Sequence, residues 1–210
     1  MNNKREIILT TVLCLVPMIA GAILYSRLPD TIATHFGADG QPDGWSGKAF
    51  AVFGLPAIMA GINLLLHFAL RTDPKRRNMS PALYNISIWT VPAVSILANA
   101  FVFANALGYE SRIEVILPLL VSLLFIVIGN YLPKTKQSYT MGIKLPWTLA
   151  SEENWNRTHR FAGHLWVACG ILLALLTLLK IGLAWLTLVI ITVMVLVPTV
   201  YSYSLYKKGI

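Results

Sequence analysis

Charged residues are scarce in this sequence. They make up 12% of its 210 residues, against 56% for the hydrophobic types, where a soluble globular domain carries about 25%. The scarcity is concentrated. Six apolar runs, at 7–25, 49–70, 81–107, 115–132, 161–179 and 181–203, contain no charged residue at all. A membrane-crossing helix needs roughly 17–25 apolar residues, so each run is long enough. No polar segment is left that is large enough to fold as a soluble domain. The missing carboxylates also exclude a class of chemistry, because a proton relay inside the membrane has no Asp or Glu on which to run.

Other absences narrow the function further. There are two cysteines, Cys14 and Cys169, both inside apolar runs; they offer no CxxC or zinc spacing and read as small buried hydrophobes. G-x-S-x-G, HExxH and the P-loop are missing, as is the calcium-loop pattern, so neither an enzyme, a metal nor a cofactor is expected. No internal repeat is visible, which weakens an inverted-repeat transporter. The first run spans 19 residues, longer than the usual signal-peptide core of about 7–15. No small-x-small cleavage site follows it, so it is expected to stay as the first membrane helix.

Positive charge, by contrast, is plentiful, with 17 Lys and Arg against 9 Asp and Glu, a net +8. Its placement decides its meaning. With both termini on one side, that side receives Lys4, Arg5, Arg71, Lys75, Arg76, Arg77, Lys134, Lys136, Lys144, Arg157, Arg160, Lys207 and Lys208, and the other only Arg27, Lys48, Arg112 and Lys180. The positive-inside rule makes the first side cytoplasmic. The basic residues therefore set topology, and no nucleic-acid partner is implied. The expected fold is an all-α integral membrane protein, a bundle of six transmembrane helices with N-in and C-in ends. Two sections are expected within one membrane domain. Residues 1–80 form a two-helix unit with an ordered outer loop at 26–48, and 81–210 form a four-helix unit with an inner loop at 133–160. The last two spans are parted by Lys180-Ile181-Gly182, a tight turn for which Gly182 is the expected source of backbone freedom.

Two loops and one layer carry the candidate chemistry. The outer loop holds Leu28-Pro29-Asp30, Asp39-Gly40 and Gln41-Pro42-Asp43-Gly44, all turn formers, which predicts a compact lid. His35, Asp39, Asp43 and Trp45 are its candidate ligand-facing residues. In the inner loop, Pro146-Trp147 reads as an interfacial turn and Ser151 as an N-cap with Glu152 and Glu153 in the first turn. Glu153 and Arg157 are spaced i,i+4 with the acid first. Trp155, His159, Ala162 and Trp166 share one stripe, which predicts an amphipathic elbow lying at the inner membrane surface before the fifth span. Asn63, His67, Asn85, Asn130 and His164 lie one to two turns from the inner charges, a candidate polar layer. Five prolines inside spans, Pro17, Pro56, Pro92, Pro118 and Pro198, suit either kinked packing or the alternative function of a small-molecule or peptide transporter or efflux permease.

Gly142-Ile143-Lys144-Leu145-Pro146-Trp147-Thr148-Leu149, followed by Glu153, Trp155, Asn156, Arg160, Phe161 and Gly170, resembles the signature of the SdpI bacterial immunity family. The outer-loop residues Leu28-Pro29, Ile32, His35, Gly40 and Pro42-Asp43 are similar to the N-terminal domain that often accompanies it. The resemblance implies a non-enzymatic, multi-pass protein of the bacterial plasma membrane that protects against a secreted membrane-active peptide toxin. The toxin and membrane lipids are then the implied partners. It also implies a receptor role in which a cytoplasmic winged-helix repressor is held at the membrane. The outer-loop candidates would meet the toxin, and Trp147, Trp155, Arg157 and Arg160 would be the cytoplasmic signalling candidates.

Overall fold

The computed structural model describes residues 4–37, 40–109, 112–181 and 183–210. Six helices are long and apolar enough to cross a membrane. They are α1 (Lys4–Leu24), α2 (Leu55–Thr72), α3 (Pro81–Ala106), α4 (Ile113–Tyr131), α6 (Glu152–Leu178) and α7 (Leu183–Lys207); α5 (Pro146–Ala150) is a short helix before α6. They coincide with the charge-free runs because a backbone in hydrocarbon must satisfy its own hydrogen bonds. Pro17, Pro92, Pro118 and Pro198 lie inside continuous helices. Pro56 follows a π-helical turn at Phe50–Gly54 that leads into α2, the kind of local distortion by which membrane helices accommodate proline.

Two features differ from expectation, and a third falls partly outside the described residues. The outer loop is not all turn: β1 (Thr31–Phe36) and β2 (Pro42–Gly47) form an antiparallel hairpin with a bulge at His35. The fifth span is not preceded by a separate surface helix, since α6 runs unbroken for 27 residues from its Ser151 cap. At the last hairpin Gly182 lies outside the described residues, and the left-handed conformation is carried by Lys180, at φ 55°. There the Lys180 and Ile181 amides donate to the carbonyls of Thr177 and Leu176, which satisfies the end of α6.

The chain forms two compact units, Met1–Arg71 with Asn85–Ile113, and Thr72–Tyr84 with Glu114–Ile210. In the first, Leu28, Ile32, Ala51, Val52, Val102 and Phe103 form the buried core beneath the hairpin. A side chain at Gly21 would meet Val52 at 2.7 Å and Phe103 at 2.9 Å, so glycine is what lets α1 close on this core. Lys48 fastens the base of the hairpin through an ion pair to Asp30 at 3.0 Å and a hydrogen bond to the Leu28 carbonyl. In the second unit, Cys169, Leu173, Ile190 and Met194 make the α6–α7 core, with the Trp166 indole donating to the Met194 carbonyl at 3.0 Å.

Candidate functional site

The signature residues of the second unit are cross-tied at its polar end. Pro146 opens α5, and the Thr148 hydroxyl accepts from the Leu145 amide at 2.9 Å and donates to the Ile143 carbonyl at 2.8 Å. Ser151 accepts from the Asn154 amide, the cap expected from its type. Asn154 is fully buried. Its amide nitrogen donates to the carbonyls of Ser202 and Ile210, and its oxygen accepts from the Ser202 and Thr158 hydroxyls. The Trp147 indole donates to Ser202 Oγ at 2.7 Å, and its ring packs on Tyr203 and Tyr206. Trp147 of α5 and Asn154 in the first turn of α6 thereby hold the end of α7.

Trp155 is 0% exposed. Its indole donates to the Thr135 carbonyl at 2.9 Å, and its ring stacks on His159 with centroids 3.9 Å apart. The expectation that Trp155 anchors an elbow in lipid headgroups is therefore corrected: the stripe Trp155, His159, Ala162 is buried in protein. The partners of His159 define its tautomer. Nδ1 faces the Trp155 carbonyl, which only accepts, and Nε2 faces the Ile143 amide, which only donates. His159 is thus neutral, with its proton on Nδ1. Gly142 closes this arrangement at φ 105°, where a Cβ would lie 2.6 Å from His159 Nε2 and 2.7 Å from the Trp155 ring.

Asp73, a residue that no sequence pattern singled out, ties 72–84 to this region. It is 5% exposed and accepts from the Lys75 amide, the Ser138 hydroxyl and the Thr140 amide at 2.7–2.8 Å. Burial alone raises its pKa, but the hydrogen bonds from Ser138, Lys75 and Thr140 outweigh it and hold the carboxyl below its ordinary value. A depressed pKa contributes stability that is fully present above the unfolded value, about 4, and is lost as pH falls through the folded one. Asp73→Asn should therefore cost about 1–3 kcal/mol at neutral pH and shrink the loss of stability on acidification. Thermal unfolding followed from pH 7 to pH 3 checks this; parallel acid limbs for both proteins would contradict it.

The other face of α6 is open. Glu153 and Arg157 pair at 2.6 Å, as their spacing predicts. Asn156, Arg157, Arg160, Phe161 and His164, with Tyr201 from α7, line a cleft of about 540 Å³. His164 is therefore exposed on this face, as is Asn130 on α4.

In the first unit, Asn63 and His67 are buried. The Thr10 hydroxyl donates to the Glu6 carbonyl and accepts from Asn63 Nδ2 at 3.0 Å and His67 Nε2 at 2.9 Å. Asn85, the remaining member of the candidate polar layer, is exposed. On the hairpin, His35 hydrogen-bonds Asp43 on the opposite strand, and the Thr34 and Ser46 hydroxyls pair at 2.8 Å. Trp45 is 60% exposed, and Gly44 leaves room for His35, whose Cβ a side chain there would meet at 2.8 Å. Asp39 lies outside the described residues.

Six helices long and apolar enough to cross a membrane, with a charged, cross-tied polar end, define a multi-pass membrane protein, and the comparisons with known proteins narrow the class. The SdpI/YfhL protein family model matches residues 134–202, the stretch that carries the Trp155 and Asn154 contacts. A domain family of unknown function, DUF1648, matches residues 12–60, which include the hairpin. Immunity protein SdpI of Bacillus subtilis (strain 168) is 28% identical over 206 residues, covering 98% of this chain and 97% of that protein. No solved structure matches. The chain is thus similar to the SdpI family over residues 134–202 and to an immunity protein over nearly its full length, and it is a multi-pass protein of the bacterial plasma membrane.

Proposed function

We propose that this chain is a non-enzymatic immunity protein that protects its cell against a secreted, membrane-active peptide toxin. The observation that carries the proposal is the match to an immunity protein over nearly the full length of both chains. The hairpin is the contact surface for the toxin, because it presents the exposed Trp45 beside the His35–Asp43 pair. An aromatic ring with one polar edge gives a large contact at low entropic cost. A receptor role toward a repressor would fall to Arg157 and Arg160, since Trp147 and Trp155 are engaged within the protein. The test is to express the chain in a toxin-sensitive Bacillus strain lacking its own immunity protein. The inhibitory concentration of the toxin should rise, and an unchanged killing curve with the protein present in the membrane would refute the proposal.

Toxin contact at the hairpin requires it to face outward, the orientation favoured by the distribution of Lys and Arg. A cysteine at Gly47, where an added Cβ meets nothing within 4 Å, should react with an impermeant thiol reagent in intact cells. One at Lys136 should react only after permeabilisation. Cys14 and Cys169 are buried and supply a low background. Labelling of both sites from the same side would refute the orientation.

A further inference from the structure

The cleft on the open face of α6 has a chemical character that toxin contact at the hairpin does not use. Two arginines, an imidazole, a carboxamide and a phenol surround it, and no acidic side chain lines it. Glu153 compensates Arg157, whereas Arg160 makes no ion pair among the described residues. The cleft stands where charge ends. Beyond Arg160 no charged residue occurs in the rest of α6, yet His164 lies one turn further along and still lines the cleft. On α7 the exposed side chains in the turn before Tyr201 are Val197 and Val200, with Tyr203 exposed beyond it. Phe161 and Tyr201 pack with ring centroids 4.6 Å apart, which gives the cleft an aromatic wall.

We propose that this cleft binds the headgroup of an anionic phospholipid. Guanidinium groups match phosphate oxygens in a planar, bidentate geometry. Arg160, the cation without a carboxylate, takes the phosphate, with Arg157 next to it. Asn156 and Tyr201 supply neutral donors and acceptors suited to the hydroxyls of a glycerol headgroup. The acyl chains then run along the apolar side chains of α6 and α7. A lipid fits better than an acidic protein surface because the cleft extends from the last charge into the charge-free part of the span, a depth that lipid reaches and a soluble partner does not. The site is independent of the toxin contact and needs only the membrane location.

The test uses the full chain in nanodiscs of phosphatidylcholine containing a trace of spin-labelled lipid. The immobilised fraction of spin-labelled phosphatidylglycerol is compared with that of spin-labelled phosphatidylcholine. The wild type should prefer phosphatidylglycerol by about threefold or more, the scale of one or two basic contacts at a membrane surface. Arg160→Gln and the double variant Arg157→Gln/Arg160→Gln should bring the ratio close to one. Lys207→Gln/Lys208→Gln removes two charges outside the cleft and should keep most of the preference. If that control lowered the ratio as far as the arginine variants, the effect would be diffuse charge and the site would be refuted. Loss of the preference on adding inorganic phosphate at constant ionic strength would assign the cleft to free phosphate instead. Equal association of both lipids with the wild type would overturn the proposal and leave the arginines to a protein partner.

Discussion

Trp155→Ala should lower stability by about 3–5 kcal/mol, the range for deleting a large buried aromatic side chain. The ring is fully enclosed, so its removal leaves a cavity against His159 and Gly142. The Thr135 carbonyl also loses its donor. Trp155→Phe separates the two effects: it keeps an aromatic face for His159 and loses the indole N–H, at about 1–3 kcal/mol for the orphaned acceptor. Thermal unfolding in detergent or nanodiscs should rank the wild type above Trp155→Phe and Trp155→Phe above Trp155→Ala. An alanine variant as stable as the wild type would mean that the signature tryptophan faces lipid after all.

The second large effect is expected at the α4–α6 contact. A Cβ at Gly163 would lie 2.6 Å from Pro133 Cδ and 2.7 Å from the Gly129 carbonyl oxygen. These are a ring and a backbone group, neither of which can rotate away. Small residues let membrane helices approach to this distance, and overfilling a tight contact costs about 1–3 kcal/mol or more. Gly163→Ala should therefore reduce both folded yield and unfolding temperature. Gly61→Ala in α2 is the control, because a Cβ there meets nothing within 4 Å and alanine favours the helix by about 0.8–1.0 kcal/mol. Similar losses in both variants would show that helix approach at Gly163 is not what the glycine serves.

The parts of this structure that were legible in the sequence are those determined by local composition. Charge-free runs of sufficient length locate all six spans, because the bilayer punishes an unpaired charge wherever it falls. Ser151 is legible as a cap because capping needs only a hydroxyl before the first turn. Periodicity revealed that Trp155, His159 and Ala162 share a face of α6, but not whether protein or lipid lies opposite, since both present apolar surfaces. Asp73 stayed invisible for a different reason: its partners Ser138 and Thr140 are more than sixty residues away in the chain. The turn formers of the outer loop predict a compact lid but do not reveal its strands. Its two strands have six residues each, and glycine and proline in the second obscure the alternation.

The division of roles is the central claim. The signature residues build a scaffold, and under the proposed function the exposed hairpin residues His35 and Trp45 would meet the toxin. It is tested most directly by the killing curve of a toxin-sensitive strain expressing His35→Ala/Trp45→Ala at wild-type levels in the membrane. Neither side chain belongs to the core beneath the hairpin, so insertion and amount should be preserved. The account predicts a large loss of protection at an unchanged amount of protein. Protection equal to that of the wild type would contradict it and move the site of toxin action away from the hairpin.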